Sequence, residues 1–129
     1  MSGEEGAAGR VARSFADAVD DRDWASLASL LAPGSTATLV HTGETFTGEQ
    51  FVAFNRDYPG GWRFTVTDLV ASGDRAVLRA RVTPASGGDG VFHVASFLRV
   101  ADGLVTELVE VWGEELPAPP AHRPGVAGT

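Results

Sequence analysis

One acidic residue, Glu110, interrupts an apolar stretch near the C-terminal end of the sequence, between Leu108 and Trp112. Successive side chains of a β-strand point to opposite faces, so a strand over residues 104–112 would place these three side chains on one face. Both faces of that strand are mostly apolar, which predicts a lined cavity on one side and a subunit partner on the other. A carboxylate enclosed in a cavity must find hydrogen-bond donors or a cation, or its pKa rises. We therefore predict a catalytic Glu110 that faces the cavity; the alternative is a solvated, inactive side chain next to Gly113.

His41 is the second candidate for proton transfer. It belongs to residues 37–42, which read as a short strand, and an imidazole group accepts protons at cellular pH as a general base must. With Glu110 it would form a base and acid pair, or a dyad in which Glu110 fixes the tautomer. A structural His41, hydrogen-bonded to a backbone carbonyl near Gly43, fits the sequence equally well.

Polar and aromatic side chains elsewhere are candidates for ligand contacts. Asn55, Ser96 and Thr106 lie on otherwise apolar elements, and each can hold a carbonyl group or a water, although local hydrogen bonding explains each of them as well. Trp112, beside Glu110, is the strongest candidate for a cavity wall. The remaining candidates are apolar and fit either a cavity wall or the core: Phe15, Phe54, Tyr58, Trp62, Phe64 and Leu108.

The elements that must position these residues are helices in the first half of the sequence and strands in the second, which predicts an α+β fold. Val11 and Phe15 belong to a helical pattern that ends near Asp20. Asp23 is a candidate N-cap for a second helix, which we expect to end at residues 33–34, a Pro-Gly pair.

A third helix and a meander follow. Thr47 and Gln50 have the spacing of a capping box, and residues 58–61 end the helix that this box begins. Turn residues then separate four extended segments, so consecutive strands should pair antiparallel. The segments are residues 62–71, 75–84, 91–100 and 104–112. We expect a flexible N-terminus (residues 1–9), one domain (10–115) and a disordered tail rich in proline and glycine (116–129).

Composition limits the classes of partner. The 129 residues carry a net charge of -7, which argues against nucleic acid and against anionic membranes. There is no cysteine, no secretory signal pattern and no apolar run near the ~20 residues of a membrane span, so we expect a soluble protein of the cytoplasm. The three histidines lack the spacing of metal ligands and no phosphate-binding loop occurs; we predict neither a metal nor another cofactor.

A second apolar surface is expected on the outer face of the sheet. It comprises Val91, Ala95, Phe97, Val109 and Val111. Such a patch is unusual on a soluble monomer, which predicts a homodimer through the sheet. The expected rim of that interface is Arg79, Arg81, Arg99, His93 and Glu107.

The order of three helices and a curved meander, closing on residues 102–105 and 110–114, resembles the nuclear transport factor 2-like superfamily. The resemblance spans residues 11–114. It implies a cone-shaped antiparallel sheet roofed by the three helices, a small-molecule cavity inside, and a dimer contact on the outer face. Ketosteroid isomerases, SnoaL-like polyketide cyclases and limonene-type epoxide hydrolases are branches of this superfamily.

The candidate residues distinguish between these branches. Phe15 aligns with the catalytic tyrosine of the isomerases, Ser96 with their protonated acid and His41 with their base, while Asn55 aligns with a second tyrosine. A phenyl ring donates no hydrogen bond, so steroid isomerisation is disfavoured. The epoxide hydrolases place an acid at the Glu110 position and use it with an arginine and a second acid. Residues 79–83 of the neighbouring strand contain no second acid.

The SnoaL-like branch conflicts least with this sequence, because it needs a cavity and one or two acid-base groups. We therefore predict a cofactor-independent enzyme that cyclises or isomerises an apolar, carbonyl-bearing, polyketide-like substrate. Glu110 and His41 would exchange protons, and Asn55 and Ser96 would position oxygen atoms. A non-catalytic binding or dimerisation module and an epoxide-opening enzyme remain the alternatives.

Overall fold

The structure, a computed structural model, describes residues 6–88 and 90–122. Within these residues, three helices and six strands follow one another. In order they are α1 (Gly6–Asp21), α2 (Trp24–Leu30), β1 (Leu31–Leu39), β2 (Glu44–Thr47), α3 (Gly48–Asp57), β3 (Trp62–Ser72), β4 (Arg75–Pro84), β5 (Phe92–Ala101) and β6 (Leu104–Glu114). The predicted α+β class and the antiparallel meander of four C-terminal strands are confirmed.

All six strands form one curved, unclosed sheet in the order β2-β1-β6-β5-β4-β3. Only β1 and β6 pair parallel; the other neighbours are antiparallel. The strand that carries Glu110, β6, therefore lies inside the sheet between β1 and β5. Its inner face and the helices enclose the main apolar core.

Hydrogen bonds of the predicted types fix the starts of two helices. The Asp23 carboxylate accepts from the backbone N of Ser26 at the start of α2 (3.1 Å). At the start of α3, Thr47 Oγ1 accepts from the Gln50 backbone N (3.2 Å) and Gln50 Oε1 accepts from the Thr47 backbone N (2.9 Å). This capping box confirms the predicted start of α3, the helix that forms one wall of the cavity described below.

The region between α2 and α3 differs from the prediction. α2 ends at Leu30, and Leu31, expected to continue the helix, already has extended backbone angles and begins β1. The Pro-Gly pair that was expected to end the helix lies instead within β1, where the pairing with β6 is irregular between Leu31 and Thr36. β1 ends at Leu39 rather than at residue 42, and β2 was not predicted.

Two β-bulges bend the sheet, one in β3 and one in β6. Thr67 is the extra residue of β3, and its Oγ1 donates to the Arg79 carbonyl oxygen (3.1 Å). Thr106 is the extra residue of β6, and its Oγ1 donates to the Arg99 carbonyl oxygen (3.2 Å). A bulge bends its strand and increases the local twist, so these two positions contribute to the curvature of the sheet.

The bulge at Thr106 also corrects the predicted alternation along β6. Leu108, Glu110 and Trp112 share the inner face as expected. Val105 joins the buried inner set, although simple alternation assigned it to the outer face. The extra residue between Val105 and Glu107 shifts the pairing with β5 by one position, so alternation fails only N-terminal to the bulge.

The two predicted terminal segments have different structures in their described parts. α1 begins at Gly6, so residues 6–9 are helical rather than part of the flexible N-terminus that was predicted; residues 1–5 lie outside the described residues. Residues 116–122 of the predicted tail form neither helix nor strand, and residues 123–129 again lie outside the described part. None of the helices described is long and apolar enough to cross a membrane.

Candidate functional site

A cavity of about 770 Å³ lies between the helices and the inner face of the sheet. Its lining is mostly apolar and aromatic, with a few polar groups, as is usual for small-molecule sites. His41, Glu44 and Tyr58 line it and are solvent-exposed, so they mark its opening. Glu110 lines the same cavity but is only 4% exposed. The cavity therefore contains one acid that is almost completely removed from water.

Two neutral side chains hold the Glu110 carboxyl group. Ser96 Oγ donates to Oε2 (2.9 Å), and Trp112 Nε1 donates to Oε1 (3.1 Å). Desolvation raises the pKa of Glu110, and the two hydrogen bonds oppose that rise without cancelling it. The acid form of Glu110 is therefore favoured to a higher pH than in an ordinary glutamate.

The register of the sheet explains how these groups meet. Ser96 of β5 lies directly opposite Glu110 of β6, and Leu39 of β1 lies opposite it on the other side. The backbone N of Val40 also donates to the Glu110 carbonyl oxygen (2.9 Å). If the hairpin pairing of Val100 with Val105 continued without a bulge, Ser96 would lie opposite Val109 instead. The Ser96–Glu110 pair thus depends on the bulge at Thr106.

His41 does not lie on the first strand, contrary to the prediction. It follows the end of β1 in the turn that leads to β2, because β1 stops at Leu39. The side chain is exposed, yet it lines the cavity that contains Glu110. The structure thus brings both candidates to one cavity, with Glu110 buried and His41 at the opening.

The other polar candidates have different surroundings. Asn55 lines the cavity from α3, and its Nδ2 donates to the Phe51 carbonyl oxygen one turn earlier (2.8 Å). Ser96 is fully buried and does not line the cavity. Its hydroxyl group donates to Glu110 instead. Thr106 is likewise outside the lining, with its hydroxyl group on the Arg99 carbonyl oxygen.

Most of the predicted wall residues do line the cavity: Phe15, Phe54, Tyr58, Trp62, Phe64 and Trp112. Leu108 does not; it is 1% exposed and belongs to the core beneath the cavity, which corrects its prediction as a ligand contact. Sequence reasoning missed Phe51, which stacks on Phe15, and Phe92, which packs edge-on against Trp112. Phe92 lies four residues before Ser96 on β5, so alternation along the strand places both side chains on the same face. The sequence therefore contained enough information to predict that Phe92 faces the cavity side.

Removing the charge of Glu110 should change how stability depends on pH. Burial raises the folded-state pKa of Glu110 above the ordinary value of 4.5. Its contribution to stability is therefore fully present below the unfolded-state pKa and is lost as pH rises through the folded-state pKa. Glu110→Gln should accordingly become more stable relative to the wild type as pH rises above that ordinary value. Urea unfolding of both proteins over a pH series measures the difference, and a difference that does not vary with pH would contradict the expectation.

Comparisons with known proteins bear on the fold and the family of this chain. The sequence model of the SnoaL-like domain matches residues 11–108. A proposed ketosteroid isomerase from Kribbella flavida is 33% identical, with a TM-score of 0.81 over 91% of this chain and 85% of that one.

Two further solved structures share the fold at lower identity. An LEH-like epoxide hydrolase from M. tuberculosis is 18% identical, with a TM-score of 0.70 over 85% of each chain. A proposed polyketide cyclase from Streptomyces antibioticus is 20% identical, with a TM-score of 0.68 over 80% of this chain and 89% of that one. No curated protein sequence matches this chain significantly.

Proposed function

This chain belongs to the SnoaL-like family of the nuclear transport factor 2-like superfamily, and from that membership we propose that it is a cofactor-independent enzyme acting on an apolar, carbonyl-bearing small molecule. The reaction is a cyclisation or isomerisation in which Glu110 transfers a proton. The observation that carries the proposal is the burial of Glu110 in the lining of an apolar cavity, with hydrogen bonds from Ser96 and Trp112.

Proton transfer next to a carbonyl group is common to both reactions. Removal of a proton from the adjacent carbon gives an enolate, which then attacks a second carbonyl group or is reprotonated at another carbon. A carboxylate with a raised pKa is a stronger base than an ordinary one, and its acid form can return the proton. Glu110 has the environment for both steps.

The other cavity residues have proposed supporting roles. Asn55 Nδ2 carries two hydrogens, of which one is donated to Phe51, so the second can bind the substrate oxygen. His41 exchanges protons with the substrate or with water at the opening of the cavity. Ser96 acts on the substrate only through Glu110, because its hydroxyl group does not line the cavity.

Hydrogen exchange of a model ketone tests the proposal. The bicyclic ketone 2-tetralone is apolar and has acidic hydrogens next to its carbonyl group. Proton NMR in deuterated buffer should show that the wild-type protein accelerates the replacement of these hydrogens by deuterium. A protein that binds 2-tetralone without accelerating exchange would instead support the non-catalytic binding module. Opening of an epoxide is less well supported, since the described cavity lining has no arginine and no second buried acid.

We also propose a homodimer through the outer face of the sheet. Phe97 and Val111 are 45% and 43% exposed on this face. Phe97 lies opposite Val109, and Val111 lies opposite Ala95, so the four residues form one apolar patch. Beside it, Glu115 Oε1 pairs with His93 Nε2 (2.7 Å) and with Arg81 Nε (3.4 Å), which gives the patch a charged border of the kind found at interface rims.

Placing a charge in the centre of this patch should separate the subunits. Phe97→Arg would leave a buried, unpaired guanidinium group in each half of the interface, so we expect a monomer. Light scattering after size-exclusion chromatography should give about twice the 13.5 kDa chain mass for the wild type and one chain mass for the variant. Leu116→Arg is the control, because Leu116 is also exposed but follows the last strand. A monomeric wild type would contradict the proposal.

A further inference from the structure

Among the described residues, the buried carboxyl group of Glu110 has no cationic partner. Its two hydrogen-bond donors, Ser96 and Trp112, are neutral. Arginine is absent from the described lining of the cavity, and the protein has no lysine. Surface acids differ: the carboxylates of Asp20 and Asp57 each pair with an arginine, Arg63 and Arg56 respectively. Within the described part of the chain, the acid that is most removed from water therefore has no positive charge beside it.

Aromatic side chains surround the space that Glu110 faces. Phe15 and Phe51 line it from α1 and α3, and Phe92 and Trp112 line it from the sheet. Aromatic faces attract cations, most strongly where water is excluded. The protein already uses this interaction next to the cavity, where the Arg22 guanidinium lies 5.1 Å from the ring centre of Trp62.

The remaining charges of the cavity do not favour an anion. Glu44 lines its opening, and the chain as a whole carries a net charge of -7. A negative field at an opening raises the local concentration of cations and lowers that of anions. The other titratable groups in the lining are His41, in the turn after β1, and Tyr58, which follows α3.

We propose that this cavity is a binding site for apolar ammonium ions, whose positive charge pairs with the Glu110 carboxylate and whose hydrocarbon groups contact the aromatic walls. The inference rests on the proposed function only in that the same cavity receives a small molecule. Binding of a cation to the acid form expels one proton: the Glu110 carboxylic acid releases its proton to the buffer, and the resulting carboxylate pairs with the ligand. No other bond is formed or broken.

The protons released make the affinity depend on pH. While Glu110 is protonated in the free protein, the affinity for a permanent cation should rise with pH by up to about tenfold per unit. Once Glu110 is ionised in the free protein, the affinity should become constant. An uncharged ligand of the same shape should show neither dependence.

Two ligands of nearly equal shape test the inference. They are 4-(trimethylammonio)benzyl alcohol, a permanent cation, and 4-tert-butylbenzyl alcohol, its uncharged counterpart. Isothermal titration calorimetry in buffers of different ionisation enthalpy measures both the affinity and the protons released. For the wild type we expect tighter binding of the cation, with proton release at the lower pH values. For Glu110→Gln we expect the cation to bind about 30-fold more weakly or worse, with that proton release abolished.

Glu114→Gln is the matched control, since it removes one negative charge from the exposed end of the same strand, outside the cavity lining, and leaves Glu110 in place. It should retain the preference for the cation and the proton release. His41 and Tyr58 are present in all three proteins, so a difference between the proteins reports on the carboxyl group that was replaced. If Glu110→Gln does not fold, the wild-type proton release and the preference between the two ligands still decide the question.

Equal affinity for the two ligands, or binding of neither, would overturn the inference. So would cation binding to the wild type without proton release at any pH at which the protein is folded. The proposed enzymatic function would survive these results if the protein still accelerated deuterium exchange in 2-tetralone. Conversely, selective cation binding without any exchange activity would retain the inference and remove the enzymatic function.

Discussion

Glu110→Gln should lower the rate of enzyme-dependent deuterium exchange in 2-tetralone by about 10²- to 10⁴-fold, the usual contribution of a general acid or base. The amide has nearly the volume of the carboxyl group. Its oxygen can accept from Trp112 Nε1 while its nitrogen donates to Ser96 Oγ, so both hydrogen-bond contacts of Glu110 can be kept. The loss should therefore fall mainly on kcat and leave the fold intact.

Glu114→Gln is the matched control for this substitution. Glu114 ends the same strand but is exposed, so its replacement removes one negative charge without affecting the cavity acid. We expect it to retain the wild-type rate. An unchanged rate in Glu110→Gln, in a protein that is folded under the assay conditions, would remove Glu110 from the chemistry.

Leu108→Ala should have its largest effect on stability. Leu108 lies in the core, two residues before Glu110, and is 1% exposed. Truncating a fully buried leucine typically lowers the free energy of unfolding by about 2–5 kcal/mol, through lost transfer energy and the void that remains. Because the side chain does not line the cavity, KM for 2-tetralone in the folded fraction should change little.

Urea unfolding and enzyme kinetics together separate these two effects. Leu116→Ala serves as the control, since Leu116 is 58% exposed, and such surface substitutions usually change stability by less than about 0.5 kcal/mol. A large increase in KM for Leu108→Ala without loss of stability would contradict this expectation. It would show that Leu108 contacts the ligand, as strand alternation alone had predicted.

The fold was largely predictable because local patterns and tertiary packing agree. The capping box at Thr47 and Gln50 and the turns between the C-terminal strands fixed most element boundaries. The region after Leu30 was less predictable, because the Pro-Gly pair that usually ends a helix is held in an irregular part of β1. β2 was not predicted because its four residues, ETFT, are too few to show a clear alternation of apolar and polar side chains.

The site was predictable only in part. The apolar neighbours of Glu110 sufficed to predict a buried acid, since alternation holds from Leu108 to Trp112. The contact between Ser96 and Glu110 was not predictable, because it depends on a β-bulge at Thr106 and the residue types around that position do not indicate a bulge. His41 was assigned to a strand from its apolar neighbours, whereas the backbone turns one residue earlier, after Leu39.

The shape of the cavity depends on the bulges at Thr67 and Thr106, whereas the residues that line it lie elsewhere. Thr67 and Thr106 bend the sheet, yet neither contributes to the cavity lining. A change in strand curvature at these positions would widen or narrow the space above Glu110 while every wall residue stayed the same. Natural variation or protein engineering can therefore adjust the size of molecule admitted from positions remote from the ligand, without replacing the acid or its two donors.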